Sequence, residues 1–80
     1  MYTVYLLEST KTKKWYIGYT PSNIRSRLAK HNAGLVQSTI AFKPWDIIYY
    51  EAYINRSDAL GREKFLKSGA GRKFLQKQLK

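Results

Sequence analysis

The chain has 80 residues, of which 15 are Lys or Arg, five are Asp or Glu and none is Cys, giving a formal net charge of +10. A chain of this length forms one domain with a modest core, and without Cys it has neither disulfides nor thiolate metal ligands. The first residues lack the basic start and apolar core of a signal peptide, and no apolar run is long enough to cross a membrane. We therefore expect a single soluble domain, residues 1–80, in the cytoplasm.

The positive charge indicates the class of partner. Seven Tyr and two Trp are interleaved with the 15 cations, a composition typical of proteins that bind nucleic acid. A basic protein that binds polyanions without selectivity has the same composition. The charge therefore favours a nucleic-acid partner but does not define an activity.

Two segments near the start of the chain are β-prone, residues 3–5 and residues 15–19. The polar run between them, residues 8–14, can reverse the chain, so the pattern predicts a β-hairpin. In this hairpin we expect Tyr5 and Tyr16 to lie almost opposite each other. Gly18 would let the backbone approach a phosphate closely, although glycine also marks strand ends and bulges.

A helix is predicted after the hairpin. Thr20 has a side chain suited to an N-cap, and Pro21 suits the first helical position. The helix should therefore begin at these residues, run to about Asn32 and end at Gly34, because glycine readily adopts the conformation that follows a helix.

This helix carries two polar side chains of interest. Ile24 and Leu28 form its apolar line, and Arg27 and His31 lie beside that line four residues apart. Since residues at this spacing share one face of a helix, Arg27 and His31 are expected together at the border of the buried face.

The middle of the chain contains a loop and the strongest predicted strand. Residues 35–44 have no clear periodicity and predict a surface loop of a length that is often functional. Residues 45–54 are largely apolar on both faces. A strand covered on two sides usually lies in the middle of a sheet, so we expect this strand to be the central one.

Two further helices complete the predicted order β-β-α-β-α-α. Asn55 can cap the first of them, with Asp58 three residues later as an approximate capping box. The run Lys67–Gly69 should end this helix with a basic last turn and a C′ glycine. Gly71 is expected to open a final short helix, whose apolar side is supplied by residues 74–79.

Glu63 has an unusual position. Ala59 and Leu66 mark the inward side of the penultimate helix, and Glu63 projects towards that side, where a carboxylate is costly unless it is paired or bound to a metal. One alternative is an ion pair with Arg27 or with Lys67. The other is a single hard cation, Mg²⁺ or Mn²⁺, that keeps most of its waters. A zinc site is disfavoured.

The remaining candidates suit phosphodiester chemistry. The planar guanidinium of Arg27 could bind the scissile phosphate with two parallel hydrogen bonds. His31 could share that phosphate or help to take a proton from a neighbouring phenol. Tyr5 and Tyr16 are each expected to be half-buried strand residues, but as a pair near cations one of them could act as a base towards the attacking water.

These residues resemble the GIY-YIG endonuclease superfamily, in particular its small stand-alone bacterial members, and the resemblance runs nearly end to end. The chain also resembles the nuclease domain of the excision-repair endonuclease subunit. Thr3–Leu7 and Tyr16–Gly18 stand where the two tripeptides of the family name fall, and Asn23–Asn32 resembles the first helix of the family. The segments that resemble the small bacterial members in particular are Tyr49–Ala52, Asp58–Ala59 and Arg62–Gly69.

The resemblance implies an α+β fold in which helices flank a three-stranded antiparallel sheet, and it implies hydrolysis of DNA with a single metal ion. It also implies one site in which Glu63 is the metal ligand and Gly18 and Arg27 bind the substrate phosphate. The residues expected to be catalytic are Tyr5, Tyr16, Arg27, His31 and Glu63.

We therefore expect a metal-dependent DNA endonuclease, selective for DNA structure or weakly for sequence, that acts in DNA repair or recombination. RNA stays open as a substrate. A protein partner would have to supply recognition of a long site, and the chain is expected to be a monomer or a weak dimer. A tyrosine, rather than His31, is expected to be the base. The alternative function is a non-catalytic nucleic-acid-binding module on the same fold, with the tyrosines as stacking surfaces.

Overall fold

The computed structural model describes residues 1–79, and within them the chain forms three strands and three α-helices. The elements follow the predicted order β-β-α-β-α-α, so the α+β fold is confirmed. No helix in residues 1–79 has the length and apolar character needed to span a membrane. The elements are β1 (Tyr2–Ser9), β2 (Trp15–Thr20), α1 (Ile24–Asn32), β3 (Trp45–Tyr53), α2 (Arg56–Lys67) and α3 (Gly69–Gln78), with a short 3₁₀ turn at Ile40–Phe42.

The sheet is antiparallel, with the strand order β2-β1-β3. The prediction that residues 45–54 form the central strand is therefore wrong, because β1 is central and β3 lies at an edge. Residues 3–7 of β1 are all buried, whereas β3 is buried only at Trp45 and is half-buried or exposed at its other positions, with Tyr50 60% exposed. The tyrosines of β3 look apolar in sequence, but their rings lie on a partly open surface.

Consecutive residues of β1 contact two different cores. Val4 and Leu6 belong to the core under α2 and α3, together with Ala59 and Leu66 on the inward side of α2. The second core lies on the opposite face of the sheet, under α1; its members are Tyr5, Leu7 and Trp45, with Tyr16, Ile24, Leu28, Phe42 and Ile47 packed against them. The central strand is thus covered on both faces, which explains the burial of residues 3–7.

The start of α1 differs from the prediction. The helix begins at Ile24, and its N-cap is Asn23, whose Oδ1 accepts hydrogen bonds from two backbone N–H groups of the first turn at 2.8 and 3.2 Å. Thr20 is the last residue of β2, and its Oγ1 accepts from the backbone N–H of Ser22 at 3.2 Å. The predicted start at Thr20 and Pro21 is wrong because the strand takes up Thr20.

The end of α1 agrees with the prediction. The helix ends at Asn32, and Gly34 follows in the left-handed region at φ 77°. The backbone N–H of Leu35 donates to the carbonyl of Lys30 at 3.0 Å, as in a Schellman motif. Gly34 therefore ends this helix as expected.

The junction between α2 and α3 also differs from the prediction. Ser68 ends α2, donating its backbone N–H to the carbonyl of Phe65 at 2.9 Å, and it begins α3 by accepting from the backbone N–H of Gly71 at 3.2 Å. Gly69 is thus the first residue of α3, not a C′ glycine. A Cβ at Gly71 would lie 2.1 Å from the Phe65 carbonyl oxygen, so glycine permits the close approach of the two helices.

At the start of α2 the predicted capping box is only partly present. Asn55 is the N-cap residue, but its side chain makes no capping bond to the backbone. Its Nδ2 instead donates to Oδ2 of Asp58 at 3.3 Å. The position of the cap was predicted correctly, but its hydrogen bonding was not.

A cluster around Glu51 joins β3 to α2. The carboxylate accepts from Arg62 Nε at 2.7 Å and Nη2 at 2.9 Å, from the Tyr53 hydroxyl at 2.6 Å and from the Tyr49 hydroxyl. Burial alone would raise the pKa of Glu51, but the hydrogen bonds from Arg62 and the two phenols outweigh it and lower that pKa to about 2. The guanidinium of Arg62 also covers the ring of Phe74.

We expect Glu51→Gln to lower the free energy of unfolding at pH 7 by about 2–3 kcal/mol, since a pKa shift of this size corresponds to that order of linkage energy. Because the folded pKa lies below the unfolded one, the stabilisation is complete above about pH 4.5 and is lost as the pH falls towards 2. Urea unfolding between pH 7 and pH 2.5 measures both effects. Asp46→Asn, an exposed acid on the same strand, is the control and should change stability by less than about 0.5 kcal/mol. An equal loss in both variants would contradict the assignment.

Candidate active site

Tyr5 and Tyr16 lie on the same face of the sheet, but they are not opposite each other. Tyr5 pairs with Gly18, and Tyr16 pairs with Leu7, so the tyrosines are diagonal neighbours. Their ring centroids are 6.5 Å apart. The prediction that the two tyrosines lie almost opposite each other is therefore wrong by two residues along the strand. The two rings are nevertheless neighbours on the hairpin.

Gly18 provides the space that the Tyr5 ring occupies. A Cβ at this position would lie 2.4 Å from the Tyr5 hydroxyl oxygen and 2.5 Å from Cζ. Real Cβ contacts are never this close, so the glycine is required by the phenol that crosses it. The proposed contact between Gly18 and a substrate phosphate stays a prediction.

The Tyr5 hydroxyl is the centre of a hydrogen-bonded chain. Arg27 Nε lies 3.4 Å from it and donates to it, and His31 Nε2 lies 2.9 Å from it. On the far side of the imidazole, Nδ1 lies 2.8 Å from Thr39 Oγ1, and Thr39 in turn donates to the carbonyl of Val36 at 3.3 Å. Three of the predicted site residues are therefore in direct contact.

His31 is fully buried, and not at the border of a helix face as predicted. Burial, together with the positive charge of Arg27, lowers its pKa from 6.5 to about 4. The imidazole is therefore neutral at pH 7 and has one nitrogen free to accept a proton. The Tyr16 ring lies 5.3 Å from the imidazole, centroid to centroid, and is more exposed than Tyr5.

The Tyr5 phenol is 2% exposed. Burial raises its pKa above the ordinary value, and the hydrogen bond and charge of Arg27 act in the opposite direction. The charges of Tyr16 and Glu63 add smaller contributions that raise the pKa. A free phenolate is therefore disfavoured at neutral pH, and the phenol depends on a neighbouring acceptor if it is to lose its proton.

Glu63 lies on α2, which packs on the opposite face of the sheet from Tyr5. It lies on the helix between the inward residues Ala59 and Leu66, and it forms an ion pair with Lys67 in which Nζ and Oε2 are 3.2 Å apart. One of the two ion pairs considered from the sequence is thus present. The negative charge of Glu63 contributes to raising the pKa of Tyr5, but the side chain that Glu63 contacts is Lys67.

The residues present are compatible with a hard cation that keeps its waters. Residues 1–79 hold no group of three or more His, Cys, Asp and Glu side chains arranged as a metal site. The ion pair with Lys67 uses Oε2 of Glu63, and the carboxylate is 20% exposed. Mg²⁺ is commonly bound by one or two carboxylates together with water and substrate phosphates, so a single Glu is a chemically adequate protein ligand.

Thr39 is the site residue that the sequence did not reveal. It lies in the loop of residues 35–44, which was predicted to be a surface loop, yet Thr39 is fully buried against His31. A threonine in a segment without periodicity carries no local signal. Its role follows only from the path that the loop takes across the α1 face.

Residues 1–76 match the family model of the GIY-YIG catalytic domain. The chain therefore belongs to the GIY-YIG family, which has a nuclease-type fold. The resemblance noted in the sequence is thereby confirmed.

Three curated bacterial relatives, each called a UPF0213 protein, are similar to the chain. Identity is 37% over 64 residues to the protein of Pediococcus acidilactici, 35% over 66 residues to that of Staphylococcus haemolyticus, and 37% over 65 residues to that of Streptococcus pneumoniae. These alignments cover 76%, 81% and 80% of this chain and 64%, 78% and 64% of the relatives. The chain thus spans just under two thirds of two of them. No solved structure matches the chain.

We expect Gly18→Ala to lower the free energy of unfolding by about 1–3 kcal/mol, because the added Cβ overlaps the Tyr5 phenol and forces it to move. Gly61→Ala is the matched control. No atom lies within 4 Å of a Cβ at that helical position, so alanine should stabilise the protein by up to about 1 kcal/mol. Urea unfolding of both variants measures the difference. A Gly18→Ala protein as stable as the parent would show that the phenol does not require this space.

Proposed function

We propose that this domain is a divalent-metal-dependent endonuclease that hydrolyses phosphodiester bonds of DNA, selects DNA structure or weakly sequence, and acts in DNA repair or recombination. The observation that carries the proposal is the buried Tyr5 phenol, which lies between the Arg27 guanidinium and the neutral His31 imidazole in a chain of the GIY-YIG catalytic family.

The charge distribution supports a nucleic-acid substrate. The net charge is +10 on 80 residues. A groove of ≈ 510 Å³ between the hairpin turn and α3 is lined by Lys13, Lys14 and Arg72 together with Trp15 and Gln76. Cations beside an aromatic ring suit phosphates and bases. This groove lies away from the Tyr5 hydroxyl, so it would serve binding rather than chemistry.

Arg27 is the residue best placed to bind the scissile phosphate. One of its N–H groups donates to the Tyr5 hydroxyl, and a guanidinium has five such donors. The side chain is half-buried, so the remaining donors can bind a phosphate and hold it beside the phenol. A guanidinium in that position also offsets charge that develops on the phosphate oxygens in the transition state.

Tyr5 and His31 provide a path for the proton of the attacking water. As the water attacks phosphorus, its proton passes to the Tyr5 oxygen, and the phenol proton passes to Nε2 of His31. The phenol is unchanged after this step, and the imidazole carries the added proton. The raised pKa of Tyr5 and the neutral state of His31 both favour this coupled transfer over a free phenolate.

Tyr16 is the other phenol near the reacting atoms. It is more exposed than Tyr5 and lies against the His31 ring. In this scheme Tyr16 orients the water or the phosphate, and Tyr5 is the base because it has an acceptor for its own proton. Glu63 would hold the single Mg²⁺ or Mn²⁺ ion. When bound, that ion would supply Lewis-acid stabilisation of the leaving oxygen.

Purified protein incubated with branched, flapped, nicked and linear DNA, with and without Mg²⁺, tests the function directly. Metal-dependent cleavage of at least one of these substrates is expected. Matching RNA substrates determine whether the activity is confined to DNA. Tight binding without cleavage of any substrate would favour the non-catalytic nucleic-acid-binding module.

Glu63→Gln should abolish metal-dependent cleavage, because loss of the metal ligand removes several kcal/mol of transition-state stabilisation and slows the reaction by about 10²-fold or more. Melting temperature should change little, since a partly exposed ion pair contributes only about 0.2–1 kcal/mol. Lys67→Gln removes the same ion pair but leaves the carboxylate, so it should retain cleavage. If Glu63→Gln lowers stability and leaves turnover intact, the role of Glu63 is the structural ion pair with Lys67 and not metal binding.

Tyr5→Phe should lower the single-turnover rate by about 10²–10⁴-fold, the usual contribution of a general base. His31→Gln should cause a loss of similar size, because the phenol proton then has no acceptor, and DNA affinity should be nearly unchanged in both variants. With a His31 pKa of about 4, the parent rate should be level from pH 9 down to about pH 5 and should fall by half near pH 4, where the imidazole becomes protonated.

Two results would contradict this mechanism. A rate that keeps rising above pH 9 would indicate a free phenolate as the base. Cleavage at a near-parental rate by both Tyr5→Phe and Tyr16→Phe would show that the tyrosines only pack the site.

A further inference from the structure

Both ring nitrogens of the buried His31 have hydrogen-bond partners. Nε2 faces the Tyr5 hydroxyl at 2.9 Å, and Nδ1 faces the Thr39 hydroxyl at 2.8 Å. A neutral imidazole carries a single proton, which resides on one of the two nitrogens. Which nitrogen carries it decides whether His31 can accept a proton from Tyr5.

The groups at the two ends of the hydrogen-bonded chain decide which atom donates in each of its hydrogen bonds. Arg27 Nε can only donate, so the Tyr5 oxygen accepts from it, and the phenol proton is free to point at His31. At the other end, the Thr39 hydroxyl donates to the Val36 carbonyl at 3.3 Å, a carbonyl that also accepts from the Thr39 backbone N–H at 3.1 Å. The lone pairs of Thr39 Oγ1 then face Nδ1, and this places the imidazole proton on Nδ1.

We propose that Thr39 is a positioning residue that fixes the Nδ1–H tautomer of His31 and so keeps Nε2 free to accept the Tyr5 proton. Its role in turnover rests on the proposed endonuclease function. The tautomer itself is a property of the folded protein and does not depend on any substrate.

The loop that carries Thr39 is anchored on both sides. Trp45 Nε1 donates to the Thr39 carbonyl at 2.9 Å, and the Asn32 side chain holds the backbone of Trp45, accepting from its N–H at 2.7 Å and donating to its carbonyl at 3.1 Å. Ser9 Oγ of β1 donates to the Phe42 carbonyl at 2.7 Å. These bonds tie the loop, whose regular structure is limited to the 3₁₀ turn, to α1, β1 and β3, and they place the Thr39 hydroxyl against the imidazole.

His31 is the only histidine of the chain, so ¹⁵N-histidine NMR of the whole protein reports this ring alone. At pH 7 we expect the unprotonated-nitrogen resonance to belong to Nε2, which is identified by its correlations to both carbon-bound ring protons. An Nε2–H tautomer in the parent protein would overturn the proposal, since the imidazole would then donate to Tyr5 instead of accepting from it.

Thr39→Val keeps the shape of the side chain and removes the hydroxyl. The Nε2 resonance should shift towards that of a protonated nitrogen, and the single-turnover rate should fall by roughly 10- to 100-fold, part of the contribution of a general base. Thr39→Ser retains the oxygen and should restore both readouts to near the parent values. DNA affinity should not change, because Thr39 is buried.

Thr20→Val is the matched control. Thr20 is also buried, and its hydroxyl bonds to Ser22 at the end of β2, away from the imidazole. It should share any loss of melting temperature caused by removal of a buried hydroxyl, but it should leave the His31 resonances unchanged. An unaltered tautomer in folded Thr39→Val would overturn the proposal.

The readouts separate this proposal from the proposed function. If the parent protein cuts no DNA, the nuclease proposal fails, and the NMR of the parent and Thr39→Val still tests the role of Thr39, with Thr39→Ser as the conservative control. If the parent cuts DNA but Thr39→Val keeps both tautomer and rate, the nuclease proposal stands and the positioning role fails.

Discussion

Burial of the His31 imidazole is the constraint on which the site depends. A polar ring removed from water must find partners for both nitrogens, because each unsatisfied group costs about 1–3 kcal/mol. One partner comes from the central strand through Tyr5, and the other comes from the loop before β3 through Thr39. The imidazole therefore ties α1 to two distant parts of the chain. The same burial that requires these bonds also keeps the ring neutral, and this neutral state is what a proton acceptor needs at physiological pH.

The opposite face of the sheet has its own polar connection. Glu51 on β3 accepts two hydrogen bonds from Arg62 on α2, and Arg62 directly precedes Glu63. A bidentate pair fixes geometry as well as distance, so the cluster limits how α2 can rotate or slide against the edge strand. The position of Glu63 relative to the sheet is thus fixed in part by a neighbour that has no part in the proposed chemistry.

The parts of this arrangement that depend on local spacing could be predicted from sequence. Arg27 and His31 share a helix face because they are four residues apart, and the order of the elements follows from turn and cap signals. The parts that depend on long-range packing could not be predicted. The central strand was misassigned because the tyrosines of β3 resemble core residues, although two of their hydroxyls bond to Glu51.

Thr39 is the clearest example of a site residue whose position depends on long-range packing and could not be predicted from the sequence. Its place depends on bonds made by Trp45 and Ser9, which are six and 30 positions away in the chain. The start of α1 was misjudged for a related reason, since two competent caps, Thr20 and Asn23, lie three residues apart. The sheet takes up the first of them, and only the sheet register shows this.

The central position of β1 limits how the protein can change. Between residues 3 and 7 every position of the strand is buried, because Val4 and Leu6 pack in one core and Tyr5 and Leu7 pack in the other. Any substitution there disturbs packing on one face or the other, whatever its effect on the substrate. Arg25, Ser26 and Lys30 occupy exposed positions of α1, the helix that also carries Arg27 and His31, and they do not have this constraint. Substitutions among related chains, or changes made in the laboratory, should therefore accumulate at the exposed positions of α1 while β1 stays nearly invariant.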